Sequence, residues 1–131
     1  MKADLVARLK ADTAVAAIAG EAVTWGDRLR EESVPALTLL LVSPGRDYDH
    51  NGPTGEDEPR VQIDCYGRTD EEADALAQAV RDCLEQPAVV GSTRFEEAFL
   101  DAETTIDEGD QDGGEPLYRI SQDYIFLHSP A

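Results

Sequence analysis

The sequence predicts an α+β fold: a mainly antiparallel sheet of four to five strands with two helical segments packed on one face, in a single domain spanning residues 1–131. The first indication is the alternation of Val61, Ile63 and Cys65 with polar neighbours, which is typical of a half-buried strand. The second is an apolar stripe at helical spacing directly after that strand. A strand that leads straight into such a helix lets the helix fold back over the sheet, so this unit is the predicted core.

The predicted helix of this unit has clear start and stop signals. Thr69, followed three residues later by Glu72, is a capping box in which each side chain satisfies a backbone N–H. Pro87 ends the element. The residues of its apolar stripe fall on one face: Ala73, Leu76, Ala77, Val80, Cys83 and Leu84.

The amino-terminal residues 4–18 predict a helix in two pieces. Leu5 and Leu9 lie on its first apolar face. Either Asp12 or Thr13 can cap the second piece, since both residue types are favoured at helix starts. Residues 22–25 are long enough for a short strand.

A second strand is predicted at Ala36–Ser43, because Leu37, Leu39 and Leu41 alternate with Thr38, Leu40 and Val42. Apolar side chains on both faces indicate a central strand, or one covered on both faces, with a neighbouring subunit as one possible cover.

Residues 46–58 form the longest predicted irregular segment, between two strands that are expected to pair. Such connections are usually short, so a loop of this length is either functional or simply a long solvent-exposed loop. The candidate contact residues in it are Arg46, Asp47, Tyr48, Asp49 and His50. A partner-contacting arm is the main functional alternative. A catalytic loop is disfavoured because His50 has no identifiable nucleophile to serve.

The carboxyl-terminal third predicts two strands joined by an acidic hairpin. Residues 88–91 are expected to be a short apolar link. The first strand, residues 95–106, has four candidate inward positions: Phe95, Phe99, Ala102 and Thr104. The second, residues 117–128, has an apolar face formed by Tyr118, Ile120, Tyr124 and Phe126, with Gln122 among them. Asp112-Gly113 is a favoured hairpin turn.

The formal net charge of −17 excludes a basic surface that grips phosphates. Three explanations of this charge stay open. The surface is simply well solvated, or it faces DNA that must slide past without sticking, or the protein works at high salt, as in a halophilic host, where screening removes self-repulsion.

The sequence carries no motif for catalysis, a cofactor or a structural metal. The Walker phosphate loop, the dinucleotide fingerprint and the hydrolase elbow are all missing. Glu108, Asp110 and Asp112 match a calcium loop, but Arg119 stands where that loop needs a bidentate acid. Cys65 and Cys83 are interpreted as reduced core thiols. We therefore expect that the protein is not an enzyme and that it binds no cofactor and no metal. No apolar run approaches the ~20 residues of a membrane span.

The combination of segments resembles a protein family of long-tailed phages, the tail-terminator or tail-completion proteins. An early LVARL helix is followed by a VPALTLLLV strand. A VQIDCYG strand then leads into an EEADALAQAV helix, and the final strand opens with LYR. These features cover about residues 4–128 and are specific only in combination.

The resemblance implies a structural virion protein that is assembled in the host cytoplasm. Family members form a homohexameric ring on the head-proximal end of the tail tube. The ring ends tube polymerisation and joins the tail to the neck proteins, and DNA passes through it. On this basis the loop residues named above, together with Asp107, Glu108, Asp110 and Asp112, are candidate interface or channel residues.

The alternative class is an acidic monomer that imitates DNA phosphates and binds a basic partner. Net charge alone permits this alternative. Such a mimic would space its carboxylates along one face, whereas here they cluster in predicted loops.

Overall fold

The structure, a computed structural model, describes residues 1–26, 34–45, 48–49, 52–53, 58–107, 109 and 116–131. The helices are α1 (Lys2–Ala11), α2 (Thr13–Ala19) and α3 (Asp70–Leu84). The strands are β1 (Val23–Trp25), β2 (Ala36–Ser43), β3 (Tyr48–Asp49), β4 (Gly52–Pro53), β5 (Arg60–Gly67), β6 (Ala88–Val90), β7 (Thr93–Asp107) and β8 (Tyr118–Pro130).

Within these residues the main sheet has six strands in the order β1-β2-β5-β8-β7-β6, and β3 and β4 form a separate two-stranded ladder. β1 pairs with β2 in parallel, and the other pairs of the main sheet are antiparallel. The predicted α+β class is confirmed. The predicted four to five strands and two helical segments differ in detail: the expected link at residues 88–91 forms β6, which brings the main sheet to six strands, and the two pieces predicted over residues 4–18 are separate helices, α1 and α2. The short strand predicted at residues 22–25 is present as β1.

The core lies between the three helices and one face of the sheet. Val61, Ile63 and Cys65 on β5 are fully buried, as their alternation predicts. They meet the apolar stripe of α3, in which Leu76 and Val80 are fully buried. Burial of apolar surface of this kind is the main favourable contribution to folding.

Both predicted helix starts are capped. The Thr69 hydroxyl accepts a hydrogen bond from the Glu72 N–H at 3.0 Å, and the Glu72 carboxylate accepts one from the Arg68 N–H at 2.9 Å. At the start of α2, the Asp12 carboxylate accepts from the N–H groups of Ala14 and Val15, each at 3.0 Å. Of the two caps that the sequence allows for α2, Asp12 is therefore the one formed.

Helix α1 contacts both edge strands of the sheet, β1 and β6. The Trp25 indole of β1 donates to the Lys2 carbonyl at 3.1 Å, and the Thr93 hydroxyl, beside β6, donates to Asp4 at 2.6 Å. The sheet must therefore curl until one short helix spans the gap between its edges. Covering an edge in this way protects its free backbone groups from unwanted strand pairing.

The side-chain pattern predicted for the strand at residues 95–106 is wrong after its first position. Phe95 is buried as expected, but Phe99, Ala102 and Thr104 are exposed. The register of β7 against β8 shifts between Phe95 and Glu97 and again between Leu100 and Ala102. Each irregularity adds a residue to one strand and changes which side chains point inward, so simple alternation fails here.

Candidate interaction surfaces

The long loop closes at its base on a backbone contact. The Glu58 N–H donates to the Gly45 carbonyl at 2.8 Å. Gly45 has φ +57, and a Cβ added there would lie 1.9 Å from the Glu58 carbonyl oxygen, so only glycine fits. Of the candidate residues in this loop, Tyr48 and Asp49 form β3, which pairs with β4. Arg46, Asp47 and His50 lie outside the described residues.

The candidate hairpin residues begin at the end of β7. Asp107 is exposed, and its carboxylate accepts a hydrogen bond from the Gly109 N–H at 2.8 Å. Glu108, Asp110 and Asp112 lie outside the described residues. Asp107 pairs with Tyr118, and Tyr118 pairs with Gly67 at the end of β5, just before α3 begins with Asp70, Glu71 and Glu72. This end of the sheet is therefore acidic on two elements.

The two groups of candidate residues are joined to opposite ends of the sheet. The base of the long loop leads into Arg60, the first residue of β5, whereas the row that contains Asp107 crosses β5 at Gly67, its last residue. A strand rises roughly 3.3 Å per residue, so about 23 Å separates these rows. In the described part of the chain, the points where the two groups join the sheet therefore lie at opposite ends of β5.

The face of the sheet away from the helices carries apolar and paired charged side chains. Leu40, Val42 and Phe99 are 52%, 53% and 53% exposed. Arg60 lies between them and bonds the carboxylates of Asp101 at 2.9 Å and Asp123 at 2.5 Å. These hydrogen bonds raise the pKa of Arg60. We call this surface the open face.

The open face agrees with the prediction that the Ala36–Ser43 strand is apolar on both sides. β2 is paired on both edges, by β1 and β5, and is therefore internal to the sheet. Its open-face leucine and valine lack the helix cover that the opposite face has. The sequence did not identify Arg60, Asp101 and Asp123 as a group, since their meeting depends on a register across three strands.

A buried polar network crosses the sheet beneath α3. The fully buried Gln122 side chain donates to the Ala77 carbonyl at 3.1 Å and to Glu103 at 2.9 Å. Glu103 also forms an ion pair with Arg81 of α3. The network fastens α3 to the β7–β8 pair, because a buried amide without partners would be costly.

Among the described residues, no group of three or more His, Cys, Asp or Glu side chains is placed to hold a metal ion. In the same residues, no helix has the length and apolar character that crossing a membrane requires. Both cysteines are free thiols. The surfaces that stand out are thus the two ends of the sheet and its open face, which are suited to contacts with other proteins.

Comparison with known proteins gives a family and a fold. The sequence model of the family described as tail completion protein gp17 matches residues 3–129. One solved structure, titled "Virion of native gene transfer agent (GTA) particle", contains a chain with 18% identity and a TM-score of 0.73, covering 98% of this chain and 94% of that one. At that identity the structural match establishes the fold alone. No curated protein sequence matches the chain.

Proposed function

The chain belongs to the family of tail completion protein gp17, a structural component of the virion tail, and we propose that six copies of it form a ring at the head-proximal end of the tail tube. The ring stops tube polymerisation and joins the tail to the neck of the capsid. The observation that carries this proposal is the family match over residues 3–129, nearly the whole chain.

The placement of the two candidate groups supports a joining role. A protein that connects a tube to a neck needs two separate docking surfaces. The long loop and the acidic hairpin are attached to opposite ends of β5, so they can serve different partners. The tube protein and the neck protein are the partners that this role requires.

The acidity supports a channel through which DNA passes without being held. A basic lumen would bind phosphates by releasing counterions and would slow the moving polymer. A ring of subunits that each carry −17 does not bind phosphate in this way. We place some of the hairpin acids, or those of the long loop, toward the channel or the adjoining ring.

The decisive experiment deletes the gene for this chain from the genome that encodes the virus or particle. The tails that are then made are examined by negative-stain electron microscopy. Without a terminator we expect tubes of irregular and excessive length, with few joined to capsids. Adding the purified chain to growing tubes should cap them at one end. Tubes of normal length in the deletion would overturn the proposal.

Particle mass separates this function from the DNA-mimic alternative. The terminator predicts a ring with a central hole, close to six times the chain mass of 14.3 kDa. A species of single-chain mass that binds a basic DNA-binding protein and leaves tail tubes uncapped would favour the mimic.

A further inference from the structure

No strand in the described part of the chain pairs with most of the outer edge of β7. β6 pairs only with the first part of β7, from Thr93 to Phe95. β7 continues to Asp107, and its other side is occupied by β8 along its length. In the described part of the chain, residues 96–107 therefore have a strand on one side only. We call this segment the β7 strip. Long, open strand edges normally serve as pairing sites or are blocked.

The β7 strip also exposes large apolar side chains. Phe99 is 53% and Leu100 38% exposed, although they are consecutive residues that point to opposite faces of the strand. Val89 on the neighbouring β6 is 61% exposed and lines a cavity of about 470 Å³ with Phe95 and Glu96, where the strip begins. Apolar exposure along an unpaired edge marks a surface for another protein.

The charge of the strip is complementary to that of a second surface of the same molecule. The strip carries five acids, two of which, Asp101 and Glu103, are paired with Arg60 and Arg81 in the same chain. The other three are Glu96, Glu97 and Asp107. The only two lysines of the chain, Lys2 and Lys10, both lie on α1. Lys2 stands over the Trp25 ring of β1 at 5.3 Å, and Lys10 lies 3.4 Å from Glu21, just before β1. We call this the α1–β1 side.

We propose that the β7 strip of one copy docks against the α1–β1 side of a second copy. A closed ring needs two unlike surfaces on every subunit, joined head to tail. An acidic, apolar edge and the lysine-bearing side of the same chain meet that need. Elsewhere, copies that each carry −17 repel one another, so complementary surfaces determine where they touch. This inference rests on the proposed ring and names the contact that closes it.

The test uses two charge reversals in the full-length protein. In the first variant Glu96→Lys and Glu97→Lys make the amino-terminal end of the strip basic, and in the second Lys2→Glu and Lys10→Glu make the α1–β1 side acidic. Each variant alone should lose the ring, with at least a tenfold weaker association by analytical ultracentrifugation. Mixed in equal amounts, the two should form rings of alternating subunits. In such a ring every reversed surface faces a surface of opposite charge on the other variant.

The matched control for the first variant is Asp74→Lys with Glu85→Lys, at exposed positions on α3 and at its carboxyl-terminal cap. It makes the same change in charge as the first variant and should leave the ring intact. Circular dichroism checks that each variant is folded. If the first variant unfolds, Glu96→Gln with Glu97→Gln replaces it, and a smaller loss is expected.

Three results are distinguishable. Rings that survive both reversals overturn this inference and leave the proposed function standing. Loss of the ring in both variants without rescue on mixing overturns the pairing of these two surfaces. A wild-type chain that never forms a ring, and does not cap tubes, overturns the proposed function as well.

Discussion

At the scale of single residues, the basic side chains of this acidic protein have structural tasks. Arg8 is only 7% exposed, and its guanidinium lies 5.3 Å from the Phe95 ring centroid. It donates to the Cys83 carbonyl at 2.7 Å and to the Gln86 carbonyl, at the end of α3. These are carbonyls that a helix end leaves without intrahelical partners, so Arg8 joins α1 to the carboxyl terminus of α3.

We expect Arg8→Met to lower the free energy of unfolding by about 2 kcal/mol, because partly buried carbonyls lose a charged donor while the apolar packing is largely kept. Urea denaturation measures this loss. Arg94→Met, at an exposed position, is the control and should stay within roughly 0.5 kcal/mol of wild type. Equal losses in the two variants would contradict the assigned role of Arg8.

The half-buried thiol of Cys83 gives a pH prediction. Burial, with the negative charge of Asp12 nearby, raises the pKa of Cys83 to about 11 from an ordinary 9.0. The folded state thus prefers the neutral thiol. The stability it contributes is complete below pH 9.0 and is lost as the pH rises toward 11.

Alkylation of Cys83 by iodoacetamide at pH 8 should be roughly 100-fold slower in the folded protein than in urea, because the thiolate is the reacting form. Cys65, fully buried with its pKa raised well above the usual value by burial, should react more slowly still. Mass spectrometry of the labelled peptides reads both rates. A native Cys83 that reacts at the unfolded rate would contradict its placement.

At the scale of elements, the sequence predicted structure well where the interacting residues are close together in the chain. The alternation of β5 and the capping box at Thr69 are confirmed, because each depends on residues only two or three positions apart. β6 and the faces of β7 could not be predicted, since the register shifts at Phe95/Glu97 and Leu100/Ala102 arise from pairing with β8. The face to which Phe99 points depends on this register, and the open edge of β7 depends on the strand order, which no local pattern encodes.

The two candidate caps of α2 make a matched pair for testing. Asp12→Ala should lower the free energy of unfolding by about 1 kcal/mol, since two backbone N–H groups at the helix start lose their acceptor. Thr13→Ala, one residue later at an exposed position, should change it by less than roughly 0.5 kcal/mol. Thermal or urea unfolding of both variants decides the matter. A larger loss from Thr13→Ala would mean that the other residue is the cap.

At the scale of the whole molecule, 28 acids against 11 lysines and arginines make self-repulsion a property of the fold. Salt shortens the screening length from about 10 Å at 0.1 M to about 3 Å at 1 M. If the protein is adapted to high salt, its melting temperature should rise by about 8 °C over this range, which is about 2 kcal/mol for a domain of this size.

A triple variant, Asp74→Asn with Asp82→Asn and Glu85→Gln, removes three exposed carboxylates from α3 and should show a shallower rise with sodium chloride. Scanning calorimetry or fluorescence melting measures both slopes. A melting temperature indifferent to salt would remove the high-salt hypothesis and leave solvation and the DNA channel as explanations of the charge.

The separation of the two candidate groups along the sheet gives the last prediction. Neutralising three hairpin acids by Glu108→Gln, Asp110→Asn and Asp112→Asn, with Asp107 of the β7 strip unchanged, should leave the ring intact and change neck docking or DNA ejection. Neutralising Asp47, Glu56 and Asp57 removes the same charge from the long loop, which joins the other end of β5. Because about 23 Å separates the two rows, the two variants should impair different steps.

Assembly of tails with capsids, and ejection of DNA from the joined particles, are scored separately for each variant by electron microscopy and nuclease sensitivity. Identical defects would mean that total charge, and not its position, governs function. A hairpin variant that fails to fold would show that these acids stabilise the subunit itself. Distinct defects are expected because a protein inserted between a tube and a neck has to present a different surface to each.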